Sequence, residues 1–254
     1  MATFEEELKR IEFTVRRLTN FALLGKKVEV RGGENIIKQG PNIITGNHIG
    51  SFKDIAILFK IMPRFIFFTA NKMIFSKDEF NFLIRKHLRR HLKSLGSFLD
   101  LILKPLKFPF VSFITNNIAK IGTIPADLYH EHGKKLTMKK FQDYLKQGRA
   151  IIILQGRGRI MKNEPNPYVC RFKRSPSIIA YHLYQDEGIS VPVTPLAILG
   201  THFSFMVPVK IKVNVGSPMY VKDYLTEKGG ETIEKFKNAL EARVKTLFLE
   251  LLKH

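Results

Sequence analysis

Short apolar runs of strand length alternate along this chain with amphipathic stretches of helical length, and few architectures accommodate that alternation. Residues 150–154 form a continuous run, Ala-Ile-Ile-Ile-Leu, bounded by a turn, which is the pattern of a strand covered on both faces. Residues 42–46 and the aromatic-rich 64–69 read in the same way, and residues 191–199 form a further strand. Residues 27–31 and 209–215 alternate apolar with polar side chains, as a half-buried strand does. Between these runs, residues 55–60, 136–147, 175–183 and 231–252 read as helices. Gly148 follows the second of them at the position a helix C-terminus favours. Strands and helices in this order predict an α/β fold: a mostly parallel sheet, mixed at its edges and flanked by helices. Neither an internal repeat nor a low-complexity linker interrupts the pattern. The expectation is therefore one domain, residues 25–254, preceded by an N-terminal amphipathic helical arm, residues 1–24.

In the arm, Phe4, Leu8, Ile11, Val15, Leu18 and Ala22 recur at three- and four-residue steps, with Lys9, Arg10, Arg16 and Arg17 between them. Such a helix either docks on the core or lies in a headgroup layer. Residues 80–113 combine Leu, Ile and Phe with Lys86, Arg89, Arg90, Lys93, Lys104 and Lys107, a pattern suited to a lipid interface or to helices with solvated basic faces. No stretch reaches the roughly 18 uninterrupted apolar residues of a spanning helix. The first residues, Met1-Ala2-Thr3-Phe4-Glu5-Glu6-Glu7, carry acids where a secretory leader carries Lys or Arg. A cytoplasmic chain, peripheral on the inner face of a membrane, is the expectation.

Charge narrows the partners. The chain has 42 Lys and Arg against 22 Asp and Glu, a net charge of +20, and polyanions attract such a surface. Nucleic acid, anionic headgroups and coenzyme A are the candidates. Aromatic residues cluster in apolar runs such as Phe65-Ile66-Phe67-Phe68 rather than between basic residues as stacking platforms, which argues against nucleic acid. Cys170 is the only cysteine, so an intrachain disulfide and a cysteine-based zinc site are excluded, and no spaced His or carboxylate set for a metal is visible.

The strongest chemical signal is Asn47-His48 directly after a buried strand, with Asp54 at the start of the following helix. A junction of this kind exposes side chains at a sheet edge, where α/β folds place their sites. A His oriented by a carboxylate can take a proton from a hydroxyl as that hydroxyl attacks a carbonyl. The same residues could also be a capping Asp and a His bonded to backbone.

Asn47-His48 followed by Asp54 resembles the first motif of the glycerolipid acyltransferases, the family of lysophosphatidic acid and glycerol-3-phosphate acyltransferases. Ile121-Gly122-Thr123-Ile124-Pro125-Ala126-Asp127 resembles its second block. Ile152-Ile153-Leu154-Gln155-Gly156-Arg157-Gly158-Arg159, with Phe172-Lys173 downstream, resembles the third. Val191-Pro192-Val193-Thr194-Pro195-Leu196-Ala197-Ile198 resembles the fourth, and Val215-Gly216-Ser217-Pro218-Met219 the closing strand and turn. The likeness covers roughly residues 25–250. There are departures. The family leaves four residues between His and Asp; here there are five. One extra residue turns a helical side chain by about 100°, unless a bulge, expected at Gly50, absorbs it. Leu128 stands where the second block ends in Arg, and Gln155-Gly156-Arg157-Gly158 replaces Glu-Gly-Thr-Arg.

The resemblance implies transfer of a fatty acyl group from an acyl thioester, acyl-CoA or acyl carrier protein, to a hydroxyl of a lysophospholipid or glycerol phosphate. His48 would be the general base and Asp54 its partner. Asn47 and Gly156 would serve the oxyanion or support the site. Gln155, Arg157, Arg159, Arg171 and Lys173 would surround a phosphate, unless they form only a solvated basic loop. No cofactor or metal is implied beyond the thioester substrate, and an anionic membrane surface is the expected partner. The rival readings are a catalytically altered, lipid-binding member of the same fold and a basic nucleic-acid-binding protein.

Overall fold

The computed structural model describes residues 4–118, 123–126, 131–203 and 207–253. In chain order, α1 (Phe4–Ala22), β1 (Lys27–Arg31), β2 (Asn42–His48) and α2 (Phe52–Ile61) come first. They are followed by β3 (Ile66–Asn71), α3 (Lys77–Ile102), α4 (Lys104–Asn117), β4 (Ile124–Ala126) and α5 (Glu131–Lys146). The chain closes with β5 (Ala150–Gly156), α6 (Ser175–Glu187), β6 (Val193–Leu199), β7 (Lys210–Val215) and α7 (Gly229–Leu252). Short 3-10 turns occupy residues 33–35, 72–75 and 221–224. Contacts divide the chain into two compact units, one of residues 14–66 with 138–254 and one of residues 1–13 with 67–137.

The larger unit holds the strands in the order β1-β7-β6-β2-β5. Every neighbouring pair is parallel except β6 with β7. This is the expected α/β class with a mostly parallel, mixed sheet flanked by helices. The central strands carry the apolar runs because both faces are covered: Ile43, Ile44, Ile151, Ile152, Leu196 and Ile198 are all buried. Each such side chain contributes about 1.5–3 kcal/mol relative to exposure. Helix α7 turns Phe236, Leu240, Val244, Leu247 and Leu251 inward, one stripe at three- and four-residue steps, and packs on β6, β7 and α6. Asn214 on β7 ties its amide to Leu247 O and Glu250 Oε2 of the same helix.

The end of α1 docks in this unit, where Thr19, Ala22 and Leu23 are buried while Phe21 and Leu24 stay exposed. The side chains of Phe4, Leu8 and Ile11, half of the expected apolar stripe, lie outside the described residues. Strand β5 runs two residues past the apolar stretch that announces it, so Gln155 and Gly156 belong to the ladder. Helix α2 begins three residues earlier than the expected Ile55.

In the smaller unit β3 and β4 pair in parallel, Thr69 opposite Ile124. Of the second sequence block, Ile121, Gly122, Asp127 and Leu128 lie outside the described residues. The long basic, apolar segment forms α3 and α4, divided at Leu103. Pro105 sits in the first turn of α4, where its missing N–H costs nothing. Asp100 near the end of α3 accepts from Lys107 Nζ at 2.5 Å and pairs with Arg85 at 3.2 Å, which fixes the corner. Those two cations hold the Asp100 carboxyl below its ordinary value, against the opposing effect of burial.

Candidate active site

Strands β2 and β5 end together, with Asn47 opposite Gln155 and His48 opposite Gly156. His48 is therefore the last residue of its strand. From there the chain makes a three-residue turn, 49–51, and enters α2 with Asp54 in the first turn. Asp54 is fully buried. Its Oδ2 lies 2.8 Å from His48 Nδ1 and accepts the N–H groups of Ile49 at 2.9 Å and Gly50 at 2.8 Å. Capping and orientation, alternatives in sequence, are here one arrangement: the same oxygen closes the turn and holds the ring.

The extra residue between His48 and Asp54 is absorbed without breaking the pair. The unusual backbone is at Ser51, whose φ of 55° and ψ of −129° are rarely adopted by an L-residue. The expected bulge at Gly50 is thus replaced by a distorted residue one position later. Gly50 has a different role. A Cβ there would collide with the Thr201 side chain and stand 2.8 Å from Asp54 Oδ1, so only glycine lets the turn close over the carboxylate.

A carboxylate accepts and cannot donate, so His48 carries its proton on Nδ1 and presents a lone pair on Nε2. The ring is 24% exposed. Gly158, at φ 69°, faces that edge: a Cβ would stand 3.2 Å from Nε2 and 3.0 Å from Ser51 Cα. Its own N–H donates to His48 O at 3.1 Å. Gly156, at φ 131°, backs the strand end, where a Cβ would meet His48 O at 2.8 Å. These glycines let the turn after β5 pack flat against His48, where a side chain would crowd Nε2.

Asn47 is fully buried, and its amide is wholly committed. Nδ2 donates to Ile198 O at 2.9 Å and to Tyr168 O at 3.2 Å, and Oδ1 accepts Ile198 N–H at 2.8 Å. It staples the ends of β2 and β6 together, which is the structural half of the role expected for it. Gln155 is likewise buried, with Oε1 accepting Lys173 N–H at 2.9 Å. It ties the end of β5 to the segment before α6. Arg157, Arg159, Arg171 and Lys173 are all exposed: two on the turn after β5, two flanking buried Phe172. Phe172 N–H is held by Glu241 of α7 at 2.8 Å. Cys170 is half-buried behind Gly156, and burial pushes its thiol up. Among the described residues, no group of His, Cys, Asp and Glu could hold a metal ion.

Several residues at this edge escape a reading of the sequence. Lys53, buried beside Asp54, donates to Phe203 O, and Lys26 donates to Val207 O at 2.8 Å. Burial, with Lys26 nearby, holds the Lys53 ammonium below its ordinary value. His202 packs edge-on to Tyr168 with centroids 5.6 Å apart; burial, then the Lys53 charge, keeps its imidazole below the usual value against the pull of Asp54. Thr201 is fully buried beneath the turn. Thr201 and His202 belong to the loop after β6, Lys53 to the covered face of α2, and Lys26 to the turn before β1. Only the fold brings them to His48.

This mostly parallel sheet with its flanking helices is similar in fold to a solved acyltransferase. The 1-acyl-sn-glycerophosphate (LPA) acyltransferase PlsC from Thermotoga maritima matches 99% of the chain over 84% of its own length, with a TM-score of 0.60 and 20% identity. No protein-family model matches the sequence, and no curated protein does.

Proposed function

We propose that the chain transfers a fatty acyl group from a thioester, on coenzyme A or acyl carrier protein, to a hydroxyl of a lysophospholipid or glycerol phosphate. The 2.8 Å contact of His48 Nδ1 with buried Asp54 carries this reading, because it leaves Nε2 as the basic nitrogen of a partly exposed ring. Nε2 takes the hydroxyl proton as the oxygen bonds to the thioester carbon, and Asp54 stabilises the imidazolium. The tetrahedral intermediate collapses, the C–S bond breaks, and the imidazolium returns the proton to the departing thiolate. No enzyme-bound acyl group is needed, in keeping with a Cys170 thiol raised by burial. The exposed cations Arg157, Arg159, Arg171 and Lys173 suit a phosphate on the acceptor or on coenzyme A.

The similarity in fold to an enzyme named for lysophosphatidic acid supports a lysophospholipid as the first acceptor to test. Among the described residues no helix is long and apolar enough to cross a membrane. A peripheral position on the cytoplasmic face is the reading we adopt. The α3–α4 corner supports it: Leu101 and Phe108 are each 68% exposed, with Ile102, Leu103 and Phe110 exposed beside Lys104. The test is an assay offering lysolipids of different headgroups with acyl-CoA and with acylated carrier protein. Acyl transfer to at least one lysophospholipid or to glycerol phosphate is expected; hydrolysis alone, or no reaction with any pair, contradicts the reading.

A further inference from the structure

One oxygen of Asp54 takes three hydrogen bonds and the other takes none. Oδ2 accepts from His48, Ile49 and Gly50, while buried Oδ1 has no partner among the described residues. A carboxylate oxygen out of water with no donor is costly. The neighbouring Thr201 hydroxyl is in the same condition: Thr201 is fully buried and its Oγ1 lacks a partner among the described residues. Both oxygens flank the same point, the space above Gly50 Cα. A Cβ there would clash with Thr201 Oγ1 on one side and meet Asp54 Oδ1 at 2.8 Å on the other. They make no direct hydrogen bond, but their common proximity to this point puts them within reach of one bridging water.

We propose that the Thr201 hydroxyl donates to Asp54 Oδ1 through one bridging water, and is a positioning residue for the carboxylate that holds His48. The fold delivers it for this purpose. Asn47 clamps Ile198 on both its N–H and its C=O, Gly200 turns the chain at φ 98°, and Lys53 holds the loop through Phe203 O. Thr201 then lies under the turn that Gly50 closes. A neutral donor satisfies Oδ1 and locks the carboxylate plane, at the expense of part of the negative charge that faces the imidazolium. Lys53, Lys26 and His202 are the other titratable groups around this point. Lys53 and Lys26 are spent on the carbonyls of Phe203 and Val207, and burial, then Lys53, lowers the His202 imidazole from its ordinary value.

The proposal rests on His48 and Asp54 being the working pair, and its test reads the ring directly as well as turnover. NMR titration of the His48 imidazole is compared in the full chain, in Thr201→Val, which deletes the hydroxyl at nearly constant volume, and in Thr201→Ser, which keeps it. Without its donor, Asp54 is less neutralised and stabilises the imidazolium more. Thr201→Val is expected to move the titration upward by roughly half a pH unit, and Thr201→Ser to leave it unchanged. Where acyl transfer is measurable, Thr201→Val lowers kcat about tenfold with KM within about twofold. An unmoved titration in Thr201→Val, or equal movement in Thr201→Ser, overturns the proposal. Should Thr201→Val fail to fold, Thr201→Ala against Thr201→Ser makes the same comparison. A wild-type chain without acyl transfer would count against the function while the titration still decides the role of Thr201.

Discussion

At the residue scale, the working geometry depends on what is missing from certain positions as much as on what is present. Gly158 is the clearest case, because any side chain there would begin 3.2 Å from His48 Nε2. Gly158→Val puts a β-branched side chain at φ 69° and over that nitrogen, so acyl transfer should fall about tenfold or more. Steady-state kinetics with an unchanged circular dichroism spectrum check this, and wild-type turnover would refute it. His48 and Asp54 were legible from the sequence because a His after an apolar strand and an Asp entering a helix are local signals. Gly158 could have been found by asking why a glycine lies between Arg157 and Arg159. Thr201 and Lys53 could not. Their importance comes from the loop after β6 and the turn after β2 meeting beneath His48, contacts between residues about 150 apart in sequence.

At the scale of elements, the site is the place where three parallel strands end, and Asn47 keeps two of those ends in register. Two of its three hydrogen bonds occupy the N–H and the C=O of Ile198, and the third reaches Tyr168 O. Asn47→Ala strands these buried groups, at a cost of about 2–4 kcal/mol. Thermal unfolding should show a drop in Tm of roughly 5–15 °C, with residual activity falling because Thr201 and His202 lie three and four residues beyond Ile198. A Tm within a degree of wild type would contradict the clamp. The strands themselves were readable from apolar runs, since burial on both faces writes itself into composition. Their ends were less so: β5 extends through polar Gln155, where the ladder with β2 outweighs side-chain pattern. The extra residue before Asp54 is taken up at Ser51 rather than Gly50, through a backbone conformation that a helical wheel does not include.

At the scale of the whole molecule, a net charge of +20 and an exposed apolar corner at α3–α4 describe a surface suited to anionic bilayers. Each Lys or Arg near such a surface contributes about 1 kcal/mol. Sedimentation with anionic vesicles should therefore exceed that with neutral ones and weaken with salt. Replacing Leu101 and Phe108 by Asp should reduce binding while sparing turnover of water-soluble substrates. Equal binding to both vesicle types would refute the electrostatic part, and undiminished binding of the double variant would refute the role of the corner.

The account stands on His48 as a general base held by Asp54, and the most direct test is acyl transfer by His48→Ala beside wild type under identical conditions. Loss of a general base costs about 10²–10⁴-fold in rate, so turnover should fall by that factor while Tm stays near wild type, since the ring is a quarter exposed and packs no core. An unchanged rate of acyl transfer in that variant would contradict it.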